Sequence, residues 1–334
     1  MVMSFAAAQH RARDEEQDFD GTIIKYLVYI QCGVPVVLLP LYALQRVRLT
    51  EYLHDWNKFQ AEFARRSGRA LSTLRPFSSR DSLEMLAVVV LWEAVVASCQ
   101  LPLHPPVVVL ALVLSNVLAA LLASLWYLHG RLLRAAAHAS AAHLARVLSR
   151  SAPRPGSVAA QVDACRLQTL RLMSLSTALG SAMTLCLGFL LLAHFVLLTL
   201  TLYALFGQLS HSTRSAARLP SLVAGVVFSG AVLYVVCDSG HRVGRALKTG
   251  AMQEMMAFRK RTPLVGEDLH NMIEAFVATV QEVPSDVSLS GITVVNRQLF
   301  TAVLSTMVTY LVVVVQFRVS LEAEDGDGRA ALPD

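Results

Sequence analysis

The sequence contains six apolar runs, each long enough to cross a lipid bilayer once as a helix. A helix rises about 1.5 Å per residue, so roughly 20 mostly apolar residues span the hydrocarbon core. Of the 334 residues, 54% are hydrophobic and only 16% are charged, which is more apolar surface than one soluble core can bury. We therefore expect an all-α polytopic membrane protein with six transmembrane helices. The runs cover residues 22–44, 83–103, 106–128, 180–207, 219–239 and 294–317.

Lys and Arg residues alternate in density along the chain. Segments 45–82, 129–179 and 240–293 contain 8, 7 and 6 of them, whereas the other connecting and terminal segments contain at most 2 each. Cytoplasmic loops of membrane proteins carry the excess of these residues. The pattern predicts that the three basic segments are cytoplasmic and that both termini, including the C-terminus, are extracellular. The net charge of +5 therefore reflects the basic residues of the predicted cytoplasmic segments and does not indicate nucleic-acid binding.

The chain divides into five parts on this basis. Residues 1–21 form a polar, acidic tail without a signal-peptide core, and residues 318–334 form an acidic, Gly-rich tail that we expect to be disordered. Between them lie a helical bundle at 22–239, a cytoplasmic segment at 240–293 and a last transmembrane helix at 294–317.

The cytoplasmic segments carry helical patterns of their own. Residues 266–283 repeat apolar side chains at helical spacing, which predicts an amphipathic helix that needs a partner. Residues 158–179 carry a similar stripe. One reading is a helix lying on the membrane surface; we favour spans that continue past the bilayer and pack together below it. The two stripes consist of Leu269, Met272, Ile273, Phe276 and Val280, and of Val158, Val162, Cys165 and Leu172 or Met173.

The last apolar run carries polar side chains on one side of its predicted helix. Thr306, Thr309, Tyr310 and Gln316 are three or four residues apart and so share a face. A Gln amide in contact with lipid would leave its hydrogen-bonding groups unpaired. The face should therefore meet either neighbouring helices or water.

The same run carries a recognisable signature. Thr309-Tyr310, five apolar residues and Gln316-Phe317 match TYhhhhhQF, where h is apolar, at all four fixed positions. This pattern resembles the closing signature of the insect gustatory receptors. Upstream, the segment from Gly291 to Arg297 resembles that family's G-F-F-x-L-D-R box, although residues 292, 293 and 296 depart from it.

The resemblance implies a specific assembly. Gustatory receptors are related to insect odorant receptors, which are ligand-gated, non-selective cation channels of four seven-span subunits with the last helix lining the pore. For this chain it implies a homo- or hetero-tetramer in the plasma membrane, surrounded by lipid, with Val313 and Gln316 at the gate and the helix at 266–283 at a subunit junction. Because the family has seven spans and an intracellular N-terminus, we also expect that the family's first span is absent from this chain.

The resemblance further implies a pocket for a small tastant, either a sugar or a bitter compound. Glu93 could instead be a structural residue paired with Asn116 and His194, since an ionised carboxylate in a span costs about 2.5–3.5 kcal/mol unless it is compensated. Candidate pocket residues at the right depth are Tyr26, Tyr29, Trp92, Glu93, Gln100, Tyr203 and Phe228.

Other functional classes fit the sequence less well. No catalytic motif, phosphate-binding loop or metal-ligand spacing is present, and the five cysteines are scattered, so we expect neither an enzyme nor a cofactor. A G-protein-coupled receptor would carry Asp-Arg-Tyr and Asn-Pro-x-x-Tyr motifs, which are missing. A secondary transporter would show paired repeats with interrupted helices, which are missing too.

Overall fold

The structure is a computed structural model that consists mainly of long helices. It describes the backbone of residues 2–68, 71, 79–101, 103–149, 155–210, 218–261 and 267–330, and side chains within 22–68, 71, 87–101, 103–149, 160–209, 218–260 and 270–313 and at 316 and 320. The described helices are α1 (Val2–Ser67), α2 (Ser79–Gln100), α3 (Pro106–Ser149), α4 (Pro155–Ala182), α5 (Thr184–Ser210), α6 (Leu219–Arg261), α7 (Glu267–Glu282) and α8 (Arg297–Ala330). A short antiparallel hairpin, β1 (Ser288–Leu289) and β2 (Thr293–Val294), precedes α8.

The apolar helices coincide with the predicted spans. Within the described residues, four helices are long and apolar enough to cross a membrane: Thr22–Ser67, Pro106–Ser149, Thr184–Leu209 and Leu219–Lys260. Two shorter apolar segments, Ala87–Gln100 and Arg297–Val313, lie at the two remaining predicted spans. The prediction of an all-α polytopic membrane fold is confirmed.

Three helices continue well beyond their predicted spans. Helix α1 passes through Pro35 and Pro40 and runs on to Ser67, α3 runs on to Ser149, and α6 to Arg261. Their extensions pack together in one core with α4, where Trp56 and Phe63 of α1, Leu133 of α3 and Met173 of α4 are almost completely buried. This arrangement agrees with helices that extend past the bilayer, not with helices lying along its surface.

Helix α7 packs against its own subunit. Ile273, Phe276 and Val280 are buried in the main core, and α7 contacts α4 and α6. The predicted apolar stripe therefore packs within the same chain, and the position of this helix at a subunit junction stays a prediction. The stripe on α4 is likewise buried at Val162 and Met173. The side chains of Leu269 and Val158 lie outside the described residues.

Both predicted tails are helical where the backbone is described. Helix α1 begins at Val2, and α8 continues to Ala330, so the backbone is helical in part of the segment 318–334 that we expected to be disordered. The reason is local composition. Residues 2–20 contain neither Gly nor Pro, and residues 318–325 consist largely of residues that are compatible with a helix, so an adjoining helix continues through them.

Helices α4 and α5 are separated only by Met183. Near this break the Cys186 backbone N–H donates a hydrogen bond to Oε1 of Gln45 on α1, over 3.0 Å. The Thr184 hydroxyl lies 2.7 Å from the Ser290 hydroxyl in the turn of the hairpin. A side chain that enters the backbone hydrogen-bonding pattern is a recognised cause of a helix kink. The start of α5 is therefore bound to both α1 and the hairpin.

Candidate ligand cavity and last helix

Two adjoining cavities lie inside the bundle of apolar helices. Their volumes are about 40 Å³ and 110 Å³. The larger cavity extends to Leu103, His104 and Arg218, at the end where α2 turns into α3 and α6 begins, whereas the smaller one reaches deeper, to Asn116 and His194. Together they form a path from the predicted outer end of the bundle towards its middle. Both cavities are lined by Gln31, Gln100, Thr201, Ser221 and Gly225.

Amide side chains link the helices around these cavities. Gln31 Nε2 on α1 donates a hydrogen bond to Asn116 Oδ1 on α3 over 2.7 Å. Gln100 Nε2 on α2 donates to the Ser221 hydroxyl on α6 over 2.6 Å, while Gln100 Oε1 has no partner among the described residues. An unpaired acceptor in an enclosed cavity is costly unless water or a ligand donates to it. Gln100 Oε1 is therefore an acceptor in the lining that no described side chain uses and that a ligand could bind.

Aromatic rings form one wall of the deeper cavity. Phe228 lines it, and the Trp92 ring stacks on Phe228 with centroids 6.1 Å apart and an interplanar angle of 15°. His194 lies on another side of Phe228, at a centroid distance of 5.9 Å, and its Nδ1 is 2.9 Å from the Leu190 carbonyl oxygen. The cavity thus combines a flat apolar surface with polar groups, as ligand sites commonly do.

Glu93 lies close to this wall but does not line either cavity. Its side chain is buried, with 7% of the residue exposed, beside Asn116. Neither carboxylate oxygen has a hydrogen-bond partner of normal geometry among the described residues. Val96 and Gln100, one and two turns further along α2, do line the deeper cavity. Glu93 therefore extends the inward face of α2 below the cavity.

The remaining predicted pocket residues lie elsewhere. Tyr26 and Tyr29 are 58% and 69% exposed on the outside of α1 and line neither cavity, unlike our expectation. The inward face of α1 is instead the one that carries Gln31, because Ile24, Leu27 and Val28 precede it at helical spacing and line the larger cavity with it. Tyr203 packs against a separate apolar cluster that includes Leu27, and it lines neither cavity.

Several lining residues were not identified from the sequence. They are polar residues within apolar runs. Such residues usually face protein or a cavity and not lipid, so their polarity alone could have identified them as candidates. Gln31 gave the strongest signal of this kind, since it is a single amide in the first run. The residues are Gln31, Ser115, Thr201, Ser221 and Ser229.

The mouth of the larger cavity carries a positive charge. His104 and Arg218 both line it. Burial, and to a smaller extent the charge of Arg218, lowers the pKa of His104, so this imidazole is neutral at neutral pH. Among the described residues that line the mouth, the charge therefore comes from Arg218, and this positive charge disfavours the entry of cations.

Where its side chains are described, helix α8 packs against the rest of the chain through one face. Phe300, Leu304 and Met307 contact an apolar cluster with Leu198 of α5 and Leu233 of α6. The opposite side is exposed, and we call it the exposed face of α8. The Thr306 and Thr309 hydroxyls there donate to backbone carbonyls one turn earlier, so they need no external partner. The exposed face, directly opposite the packed residues, consists of Ser305, Thr306, Thr309, Val313 and Gln316, and the flanking Val308, Tyr310 and Val312 are exposed as well.

The signature residues are distributed over the surface and the base of α8. Tyr310 is 59% exposed within this single chain, beside the exposed face and not towards α5 and α6, and its packing against helices of neighbouring subunits stays a prediction. Gly291 has a φ of 77° in the hairpin turn, a conformation that suits glycine. Arg297 begins α8 and binds Asp238 of α6. The Phe317 side chain lies outside the described residues.

Comparisons with known proteins agree with this fold. A family model described as 7tm Chemosensory receptor matches residues 1–321. Gustatory and odorant receptor 24 of Anopheles gambiae is 24% identical over 312 residues, which is 93% of this chain and 66% of that protein. Gustatory and odorant receptor 22 of the same organism is 26% identical over 200 residues, covering 59% of this chain and 41% of that protein. The chain thus spans about two thirds or less of the length of these curated relatives.

A solved structure shares the helical architecture. It is the insect olfactory receptor OR5 from Machilis hrabei in complex with eugenol, with a TM-score of 0.53, 13% sequence identity and coverage of 90% of this chain and 89% of that chain. At this identity the likeness concerns the fold alone. The family model, however, covers nearly all of the sequence, from Met1 through the predicted last span. The chain therefore belongs to the 7tm chemosensory receptor family, with insect gustatory and odorant receptors among its relatives.

Proposed function

We propose that this chain is a gustatory receptor that acts as a subunit of a ligand-gated, non-selective cation channel in the plasma membrane. The observation that carries the proposal is the two-sided character of α8. One side is packed on α5 and α6, while the exposed face presents hydroxyl, amide and apolar side chains but no charge. The Gln316 amide on this face would be costly in lipid and suits a water-filled axis between four copies, homomeric or with related subunits.

Val313 and Gln316 are the gate residues in this proposal. They lie about one turn apart on the exposed face. A narrow ring of four Val313 side chains would expel water and close the path, and four Gln316 amides would offer dipoles to a passing cation. Because the exposed face has no fixed charge, discrimination among cations should be weak.

The two cavities are the proposed site for the tastant. Their volumes of about 40 Å³ and 110 Å³ suit a compact molecule near the size of benzene rather than a disaccharide, since a cavity of roughly 150 Å³ accommodates benzene. Gln100 and Phe228 would contact such a ligand by hydrogen bonding and by ring contact, with Trp92 supporting the ring. The positive mouth favours neutral or anionic ligands over cations.

The experiment is current recording in cells that lack functional G proteins. A panel of small alcohols, esters, acids and amines serves as the ligand source, with untransfected cells as the control. The proposal expects a cation current that follows addition of an active compound within the channel's own gating time. A response that requires a G protein would favour the receptor class coupled to G proteins, and stoichiometric uptake of the compound without current would favour a transporter.

A further inference from the structure

A buried carboxylate joins α6 to the base of α8. Asp238 of α6 is 7% exposed. Its Oδ1 accepts hydrogen bonds from Nε and Nη2 of Arg297, over 2.9 Å and 2.7 Å. Its Oδ2 lies 2.7 Å from Nε of Arg242. One carboxylate therefore binds two guanidinium groups at once.

The two arginines differ in what they connect. Arg242 lies four residues after Asp238 on the same helix, so its ion pair stays within α6. Arg297 is the first residue of α8 and lies 59 positions away in sequence. Of these two contacts, only the pair with Arg297 holds α8 to α6.

Close backbone packing supports this junction. A Cβ atom added at Gly240 would collide with the backbone carbonyl of Val295, which lies two residues before Arg297. A Cβ at Gly180 of α4 would collide with the backbone carbonyl of Ser288 in β1. These glycines therefore allow the segment that leads into α8 to lie directly on α4 and α6. The Thr184–Ser290 contact adds α5 to the same junction.

Helix α6 also reaches the ligand cavities. Ser221, Gly225 and Phe228 line them, and α6 continues without a break from these residues to Asp238. An unbroken helix moves largely as a rigid element, so a shift of its cavity-lining part is carried to Asp238. The ion pair with Arg297 then connects that shift to α8.

We propose that the Asp238–Arg297 pair is the contact through which α6 positions the last helix, so that it sets how strongly ligand binding opens the channel. This inference rests on the proposed channel function. Asp238 and Arg297 are positioning residues here, since neither lines the cavities nor belongs to the exposed face of α8. Arg242 stabilises the same carboxylate without transmitting movement between helices.

The test compares Arg297→Gln with Arg242→Gln in complete channels. Each variant removes one guanidinium from Asp238, but only Arg297→Gln separates the two helices. The probe is the compound that gives the largest parental current in the panel of small alcohols, esters, acids and amines. Arg297→Gln should raise the half-maximal concentration by about fivefold or more and lower the maximal current, whereas Arg242→Gln should stay within about twofold of the parent.

Surface protein is measured for both variants. If Arg297→Gln fails to reach the surface, Arg297→Lys decides, because it keeps the charge but offers a single ammonium in place of two fixed N–H groups. A smaller shift in the same direction would support the proposal. The proposal is overturned if Arg297→Gln, or Arg297→Lys where the Gln variant does not reach the surface, has the half-maximal concentration of the parent. It is also overturned if Arg242→Gln raises the half-maximal concentration as much as Arg297→Gln does. Absence of ligand-evoked current in the parent would instead refute the channel function on which the inference depends.

Discussion

Gln31 on α1 and Asn116 on α3 are joined by a hydrogen bond of 2.7 Å between their amide side chains, inside the apolar bundle and in the wall of the deeper cavity. Asn116 is 3% exposed, so its amide depends on protein or ligand for partners. In a membrane interior neither group can turn to bulk water when the other is removed.

We predict that Gln31→Leu lowers both stability and ligand sensitivity. It leaves the Asn116 amide oxygen without this donor, which costs about 1–3 kcal/mol, and it removes an amide from both cavities. Thermal unfolding of the purified protein and the half-maximal ligand concentration measure the two effects. The matched control is Tyr29→Leu, on the outside of the same helix, which should change neither. An equal effect of both substitutions would contradict the cavity assignment.

Replacement of Glu93 tests the role of an unpartnered buried carboxylate. Glu93→Gln keeps the side-chain shape and removes the ionisable carboxyl group beside Asn116. Because no described residue bonds the carboxylate with normal geometry and Asn116 lies beside it, the substitution should leave surface protein unchanged while it shifts the half-maximal ligand concentration through Asn116. Val90→Ala, at an exposed position of the same helix, is the control. Loss of surface protein with unaltered sensitivity would make Glu93 a structural residue instead.

Phe276 tests where α7 finds its partner. Its side chain is completely buried in the subunit's own core, so Phe276→Ala should lower the free energy of unfolding by about 3–5 kcal/mol and reduce surface protein. Glu274→Ala, on the exposed side of α7, should change stability by at most about 0.5 kcal/mol. Native gels of solubilised protein report the assembly. Intact, folded subunits that fail to assemble would show that Phe276 serves a subunit junction after all.

The sequence predicted the fold more completely than the cavity. Long apolar runs determine the helices directly, because each must satisfy its backbone hydrogen bonds within itself in lipid. The helical phase of the last run placed Thr309 and Gln316 on one face, and both are exposed, whereas Met307 is buried against α5 and α6. The sequence did not show which side of α1 faces the cavities. Depth along a helix can be estimated from sequence, but Tyr29 and Gln31 lie at similar depth on different sides of the helix.

The junction at the base of α8 was beyond prediction for a related reason. Arg297 was recognised through its sequence box, but its partner Asp238 is 59 residues away, and nothing local to either residue indicates the pairing. The role of Gly240 likewise cannot be predicted locally, because it depends on the Val295 backbone that packs against it. Contacts of this kind depend on how whole helices pack.

The central claim is that the exposed face of α8 lines a cation path, and ionic current in complete channels with substitutions at Val313 tests it most directly. Val313→Ala shortens the apolar side chain and should raise ligand-independent current, since a wider ring holds water more readily. The control is Val303→Ala, the same truncation at a position packed towards α5 and α6, which should leave that current unchanged. Gln316→Ala in the same recordings should change relative cation permeability. Parental current in Val313→Ala together with parental permeability in Gln316→Ala would contradict the account and place the pore elsewhere.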